Sequence, residues 1–578
     1  MRGRIGAPKS RSGCKTCKYV ILLKVSEFKP NHDRIRRVKC GEERPKCLRC
    51  ASTGRKCDFD TDGNFSSVLS TPTSLGPSHT LSLSPISGRR ERRAFGYYFQ
   101  HAAQYLSGGM DIDFWTGVVP QICRTEPAVW DAIIAISALF EYPEQSSHFT
   151  FLGSDLKRDH ALNQTQKEAL TWYSRSISGI HSQIERGSAD PYIALVSCVL
   201  FICVETLQGR MEEALRLLQQ GFSLIQDLRI KASHGTVSAT KSALLENTIV
   251  PLFLRLNTNA LNISGTPVSN LFSFSEDTEY VFTSLASARQ GITTLAAECM
   301  IFQRDAEMHL QAVGGDQGVN QEFLLKQEGL RFRLARWLHA YTELCQNLRC
   351  TSSPTSEKLA HTEPTLLTYH AAALILVAGC LTQHENVYDT HMAEFQTIVE
   401  QSSLTLEALA RPNGAPPPFT FGMGVGLPLY LTALKCRHPT LRRRALQLLQ
   451  QGPPIQGFYK CPPGIAMAGC LMTLEESYSI QLAQSVNQSH AAEVLSIINS
   501  GDNHDSNLQL SVDIPEEARI CDAGVFKLRN GLPHDVSQEN VAKWNRGPEQ
   551  LFVSFRRLRH DSGSDAWEII HDCVPMEF

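Results

Sequence analysis

The sequence predicts a mostly α-helical protein arranged as a small cysteine-rich head, a disordered linker and a large all-α body. Three observations carry this. Through much of the chain beyond residue 90, apolar side chains recur every three or four positions, and alternating apolar–polar runs are hard to find between 95 and 480. Six of the 18 cysteines fall within the first 60 residues. Of residues 61–90, 18 are Ser, Thr, Pro or Gly, a composition that cannot bury enough apolar surface to offset its ordering entropy. At 578 residues the chain exceeds one ordinary domain, and 42% hydrophobic against 20% charged residues excludes global disorder. The expected divisions are 1–60, 61–90 and 91–578.

The helices follow in order. Phe95, Tyr98, Phe99, Ala102, Tyr105 and Leu106 repeat at spacings of three and four. Thr125 is the expected N-cap before Pro127, after which Val129, Ile133, Ile136 and Phe140 line one face. Leu170, Tyr173, Ile177, Ile180 and Ile184 form the next stripe. An apolar run at 193–204 follows Asp190-Pro191, and Met211, Leu215, Leu218, Phe222 and Ile225 follow Gly209. Consecutive antiparallel helices account for this pattern. The 193–204 run is shorter than the ~20 residues a bilayer core needs, and 365–381 carries Thr365, Thr368, Tyr369 and His370. Both are expected as buried helices, with no membrane partner. Three consecutive prolines make 411–427 a loop. Helix returns at 441–449, with Arg442-Arg443-Arg444 as a solvated face at its start. Residues 500–515 are polar and irregular, the last sixty are weakly patterned, and no solenoid repeat is evident.

The net charge of −2 hides a strong asymmetry. Residues 1–60 hold 17 Lys and Arg against 6 Asp and Glu; the remainder holds 39 against 52. A basic head on an acidic body points to nucleic acid. The N-terminus lacks the apolar stretch of a signal peptide, so a reducing compartment is expected, where clustered cysteines favour metal over disulfides. The other twelve cysteines, several in apolar stretches around Cys198 and Cys203, read as buried thiols.

The head cysteines run C-x2-C-x22-C-x6-C-x2-C-x6-C. A C-x2-C pair aims two thiolates at one tetrahedral ion, and Cys14/Cys17 and Cys47/Cys50 are two such pairs, which points to zinc. Six cysteines cannot make two separate four-thiolate sites, but they can hold two ions if two thiolates bridge. The alternative is a structural zinc ribbon of Cys14, Cys17, Cys47 and Cys50, which leaves Cys40 and Cys57 idle and the neighbouring basic run unused.

The head resembles the fungal zinc binuclear cluster (Zn2Cys6) DNA-binding domain. The matching text is Ser12-Gly13-Cys14-Lys15-Thr16-Cys17-Lys18, Ile35-Arg36-Arg37-Val38-Lys39-Cys40, Pro45-Lys46-Cys47-Leu48-Arg49-Cys50 and Gly54-Arg55-Lys56-Cys57. The resemblance implies that Cys14, Cys17, Cys40 and Cys47 hold one zinc and that Cys14, Cys47, Cys50 and Cys57 hold the other. It places Arg36 and Arg37 where the family contacts bases in the major groove, with CGG triplets in double-stranded DNA as the half-site. Arginine can donate two hydrogen bonds to guanine, worth ~1–3 kcal/mol of discrimination. Lys18, Lys39, Arg44 and Lys46 are expected on phosphates, adding affinity but little sequence information.

One departure stands out. The family places about six residues between the second and third cysteines, and here there are 22. Removing 19–34 restores Cys17-Lys18-Ile35-Arg36-Arg37-Val38-Lys39-Cys40. The surplus of sixteen codons has the size of a short intron, and it puts an apolar run, Val20-Ile21-Leu22-Leu23, in a module too small to bury it. A retained intron or gene-model error is expected, with a tolerated loop as the alternative. Closing the longer loop costs only about 1 kcal/mol, small beside the ~10–16 kcal/mol of structural zinc binding. Zinc binding therefore survives the insert, whereas the groove-reading helix after the second cysteine is interrupted.

The body resembles the fungal-specific transcription factor domain at Glu91-Arg92-Arg93-Ala94-Phe95, Asp113-Phe114-Trp115, Glu126-Pro127-Ala128-Val129, Phe201-Ile202-Cys203 and Leu427-Pro428-Leu429-Tyr430. Together the resemblances imply a nuclear transcription factor, an activator of a secondary-metabolite or catabolic pathway that recruits transcription machinery or co-regulators. Basic clusters at 34–39 and 89–93 suit nuclear import. Residues 58–90 show no sustained heptad and contain Pro72, Pro77 and Pro85, so any homodimer is expected through the body. No Walker loop, nucleophile elbow or H-E-x-x-H helix is present, and Gly422-Met423-Gly424-Val425-Gly426 lacks the strand–helix setting of a phosphate cradle. The chain is expected to have no catalytic residues. The competing class is a helical enzyme or scaffold with a purely structural zinc.

Overall fold

A computed structural model describes residues 88–108, 110–143, 163–234, 238–264, 280–313, 318–350, 355–494, 514–561 and 566–576. The chain divides into two units, Met1–Ser82 and Leu83–Phe578, and the described residues all belong to the second. The expected head, and the expected linker as far as residue 87, lie outside them; the last linker residues, Arg89 and Arg90, already belong to the first helix.

Helix begins at α1 (Arg89–Tyr97) and continues through a π-helical turn at Tyr98–Ala102 into α2 (Ala103–Leu106). Phe95, Tyr98, Ala102 and Leu106 are buried as their spacing predicts, but Phe99 turns outward, 44% exposed. A second π-helical segment, Asp113–Val118, buries Phe114 and Trp115 and leads into α3 (Val119–Ile122). In α4 (Pro127–Glu141) the N-cap is Glu126, one residue beyond the expected Thr125, whose hydroxyl instead donates to the Ile122 carbonyl.

The next helix, α5 (Gln164–Glu185), starts from a capping box between Asn163 and Gln166. Its buried face is Ala169, Trp172, Tyr173 and Ser176; of the predicted stripe Tyr173 is buried and Ile180 half-buried against the same core, but Ile177 and Ile184 are exposed. Small residues explain the rotation. The Ser176 hydroxyl donates to the Ala128 carbonyl at 2.6 Å, and a Cβ on Gly179 would lie 3.3 Å from that of Ala128. This side lets α4 come close, and the isoleucine side would hold it off. The pair α6 (Pro191–Leu207) and α7 (Met211–Ser233) agrees with expectation: α6 is apolar nearly all round and starts at the Asp190 cap. A short α8 (Ala239–Leu244), a π-helical turn at Leu245–Ile249 and α9 (Val250–Ser264) complete the first core with Leu218, Phe222 and Phe253.

Three long helices, α10 (Leu285–Val313), α11 (Gln321–Cys350) and α12 (Thr355–Gly379), enclose a second core around Leu334, Trp337 and Tyr341. Residues 365–381 are a buried helical stretch as predicted, and His370 meets the Leu334 carbonyl at 3.1 Å. A 3-10 turn at Glu385–His391 leads to α13 (Met392–Leu409), then α14 (Gly426–Lys435) and α15 (Pro439–Gln451), which form a third core. The predicted loop at 411–427 is pinned. Phe419 and Phe421 are buried, Phe421 packs edge-on against Trp115, and the Gln456 side chain accepts from the Gly426 amide at 2.9 Å. A two-residue hairpin, β1 (Ile455–Gln456) and β2 (Tyr459–Lys460), precedes α16 (Cys461–Val494). Among the described residues no helix is long and apolar enough to cross a membrane.

The body is mostly helical as predicted, but it is not all-α. Its C-terminal residues form an antiparallel sheet, β3 (Ile520–Lys527), β4 (Leu551–Asp561) and β5 (Ala566–Pro575), in the order β3-β4-β5, with the short helix α17 (Gln538–Ala542) between β3 and β4. One face packs Val553 and Phe555 on Met467 and Leu471 of α16; the other packs Phe552 with Val536 and Val541. Burial on both faces makes 551–555 continuously buried, which erases the period-2 signal of a strand.

Candidate functional site

Every expected zinc ligand (Cys14, Cys17, Cys40, Cys47, Cys50 and Cys57) and every expected DNA contact (Lys18, Arg36, Arg37, Lys39, Arg44 and Lys46) lies outside the described residues. Their chemistry is set by residue type. Six thiols amid basic side chains suit zinc, because nearby cations favour the thiolate. The body offers nothing comparable: no group of three His, Cys, Asp or Glu residues among the described ones can hold a metal. Its twelve cysteines are free thiols. Burial pushes Cys380 and Cys461 up to about 12, and Cys123 and Cys436 to about 11, so they stay protonated and unreactive.

The basic cluster at 89–93 is partly structural. Arg90 pairs with Glu168, Arg93 with Glu141, and Glu91 with Arg175, so the first turns of α1 are tied to α4 and α5. These exposed pairs fix where the fold begins more than they stabilise it.

The densest polar feature of the body is a buried ion network. Glu385 accepts from Lys435 at 2.6 Å and from Arg437 at 2.8 Å. Arg437 continues to Glu475 at 2.7 Å, and Arg442 reaches the other Glu475 oxygen at 2.6 Å. The Ile520 amide donates to Glu475 at 2.8 Å, and Arg519 grips Asp389 through both carboxylate oxygens. The network therefore joins α14, α15, α16 and the 3-10 turn to the start of the sheet. Burial opposes ionisation of Glu475, but the Arg437 and Arg442 guanidiniums hold its carboxyl below the ordinary value. Burial also opposes the charge on Lys435, and Glu385 outweighs it.

Here one expectation is corrected. Arg442 is not on a solvated face: its side chain is 2% exposed, whereas Arg443 points outward, to Glu476, and Arg444 is half-exposed beside Gln447. Helical phase alone would turn one of three consecutive residues inward. What makes that residue tolerable is Glu475, 33 positions away, and nothing local announces it.

The fungal specific transcription factor domain matches residues 93–458, more than half the chain. The fungal Zn(2)-Cys(6) binuclear cluster domain, which binds two zinc ions, matches residues 32–63. This second match takes in Cys40, Cys47, Cys50 and Cys57 and begins after Cys14 and Cys17, near the end of the 19–34 insert. The aspercryptin biosynthesis cluster-specific transcription regulator atnN of Emericella nidulans is 25% identical over 288 residues, covering 44% of this chain and 40% of that protein. The transcription regulator lscL of Purpureocillium lilacinum is 24% identical over 212 residues, covering 34% and 48% respectively. The aligned region thus spans less than half the length of either relative. No solved structure matches the chain.

Proposed function

The chain belongs to the fungal specific transcription factor family, and from that premise we propose that it is a sequence-specific activator of RNA polymerase II promoters, dedicated to one secondary-metabolite or catabolic gene cluster. The carrying observation is that one chain joins a six-cysteine basic head to this regulatory body. The name of the Emericella nidulans relative, a cluster-specific regulator, supports the pathway reading.

In this reading Cys14 and Cys47 bridge, with Cys17 and Cys40 on one side and Cys50 and Cys57 on the other. Two bound zinc ions supply the cross-links that so short a head cannot obtain from a hydrophobic core. Arg36 and Arg37 then read guanines of a CGG half-site, while Lys18, Lys39, Arg44 and Lys46 meet phosphates. The protein works in the nucleus, pairs if at all through its body, recruits transcription machinery, and catalyses nothing.

The test is Arg36→Ala with Arg37→Ala in the full-length chain lacking residues 19–34, followed by zinc content and affinity for CGG-containing DNA. Two zinc ions retained with affinity down ten- to a hundredfold or more is expected, at ~1–3 kcal/mol per base contact. Unchanged affinity would move the reading to a scaffold or enzyme stapled by zinc. A second reading rests on the insert: with 19–34 present, the chain is a DNA-binding-impaired product of an unspliced message.

A further inference from the structure

Between the helical body and the C-terminal sheet lies a cavity of about 460 Å³, within the size range of small-molecule sites. Its walls come from α10, the end of α12, α14, α16 and the strands β3 and β4. The ion network supplies its floor through Glu385, Lys435 and Glu475, whose charges are already matched.

The upper wall is different. Glu307 of α10, Asp522 of β3 and Arg556 of β4 face the same space. The Arg556 side chain is 22% exposed, its Nε is buried with no hydrogen-bond partner, and its nearest carboxylate oxygen, on Asp522, is 3.9 Å away. That is beyond hydrogen-bonding range. Burial first, and then the neighbouring Asp522 carboxylate, raise the Glu307 carboxyl above its ordinary value, and the Arg556 and Lys435 charges nearby only partly offset them. A buried guanidinium nitrogen without a partner is costly and calls for an acceptor inside the cavity.

The charges select the ligand. A simple anion would satisfy Arg556 but meet Glu307 and Asp522. A simple cation would satisfy the acids and leave the Arg556 Nε without an acceptor. We propose that the cavity binds a small zwitterion, an amino acid or short peptide, with its carboxylate on Arg556 and its ammonium between Glu307 and Asp522. Such a ligand touches α10 and both strands at once, so it ties the sheet to the helices. The site does not depend on DNA binding by the head.

The test uses the full-length protein in thermal-shift and calorimetric titrations. The probes are an equimolar mixture of the twenty amino acids, a mixture of dipeptides, and the same mixtures N-acetylated or C-amidated. The expected result is a rise in Tm with an unblocked mixture and none with either blocked form, as follows when a ligand binds only the folded state. Glu307→Gln, which keeps the size and shape of the side chain, is expected to keep the native Tm and weaken binding about tenfold, one lost charge contact of 1.4 kcal/mol. Arg556→Met is expected to abolish binding. Absence of a shift with both unblocked mixtures, equal binding of the blocked forms, or undiminished binding by Glu307→Gln would overturn the proposal, whether or not the Arg556 variant folds.

Discussion

Three adjacent arginines, Arg442, Arg443 and Arg444, show how far residue type alone goes. Arg442 is buried on Glu475, and Arg443 lies at the surface beside Glu476. Truncating Arg442 leaves Glu475 buried with half its compensation, so Arg442→Ala is expected to cost about 3–5 kcal/mol. Arg443→Ala removes an exposed pair and is expected to cost under about 1 kcal/mol. Urea unfolding of the two variants checks this, and equal midpoints would show the network to be dispensable. The zinc-cluster head was legible at this scale because a C-x2-C spacing is a local signal. The network was not, since Glu385, Arg437 and Glu475 meet only after folding. The polar cavity was invisible for the same reason: Glu307, Asp522 and Arg556 come from three distant segments.

Most of the helices were legible as elements because burial follows a 3.6-residue period wherever one face meets a core. The errors have identifiable causes. In α5 the small side, Ser176 and Gly179, won over the isoleucine side because it lets α4 approach. In β4 the residues buried on both faces remove the alternation that would have announced a strand. The same close packing recurs at Gly221 of α7, where a Cβ would lie 2.2 Å from the buried Phe253 ring. Alanine ordinarily stabilises a helix interior by about 1 kcal/mol over glycine. Here the clash reverses the sign, and Gly221→Ala is expected to destabilise by about 1–3 kcal/mol in the same unfolding assay. A gain in stability would mean that α7 and α9 are less tightly apposed than described.

For the whole molecule, function divides between a head whose chemistry is written in its cysteine spacing and a body whose fold does not announce its effector. The family match to the body was foreshadowed by short segments such as Asp113-Phe114-Trp115, now seen as the π-helical turn that buries Phe114 and Trp115. We expect the head to read DNA and residues 19–34 to interrupt that reading. The most direct measurement is selection against random double-stranded DNA with the zinc-loaded full chain, with and without residues 19–34. The expected result is that the shortened chain enriches CGG-containing sites and the chain as given does not. Equal enrichment by both would make the insert a tolerated loop. Enrichment by neither would contradict the account and leave the zinc as a staple.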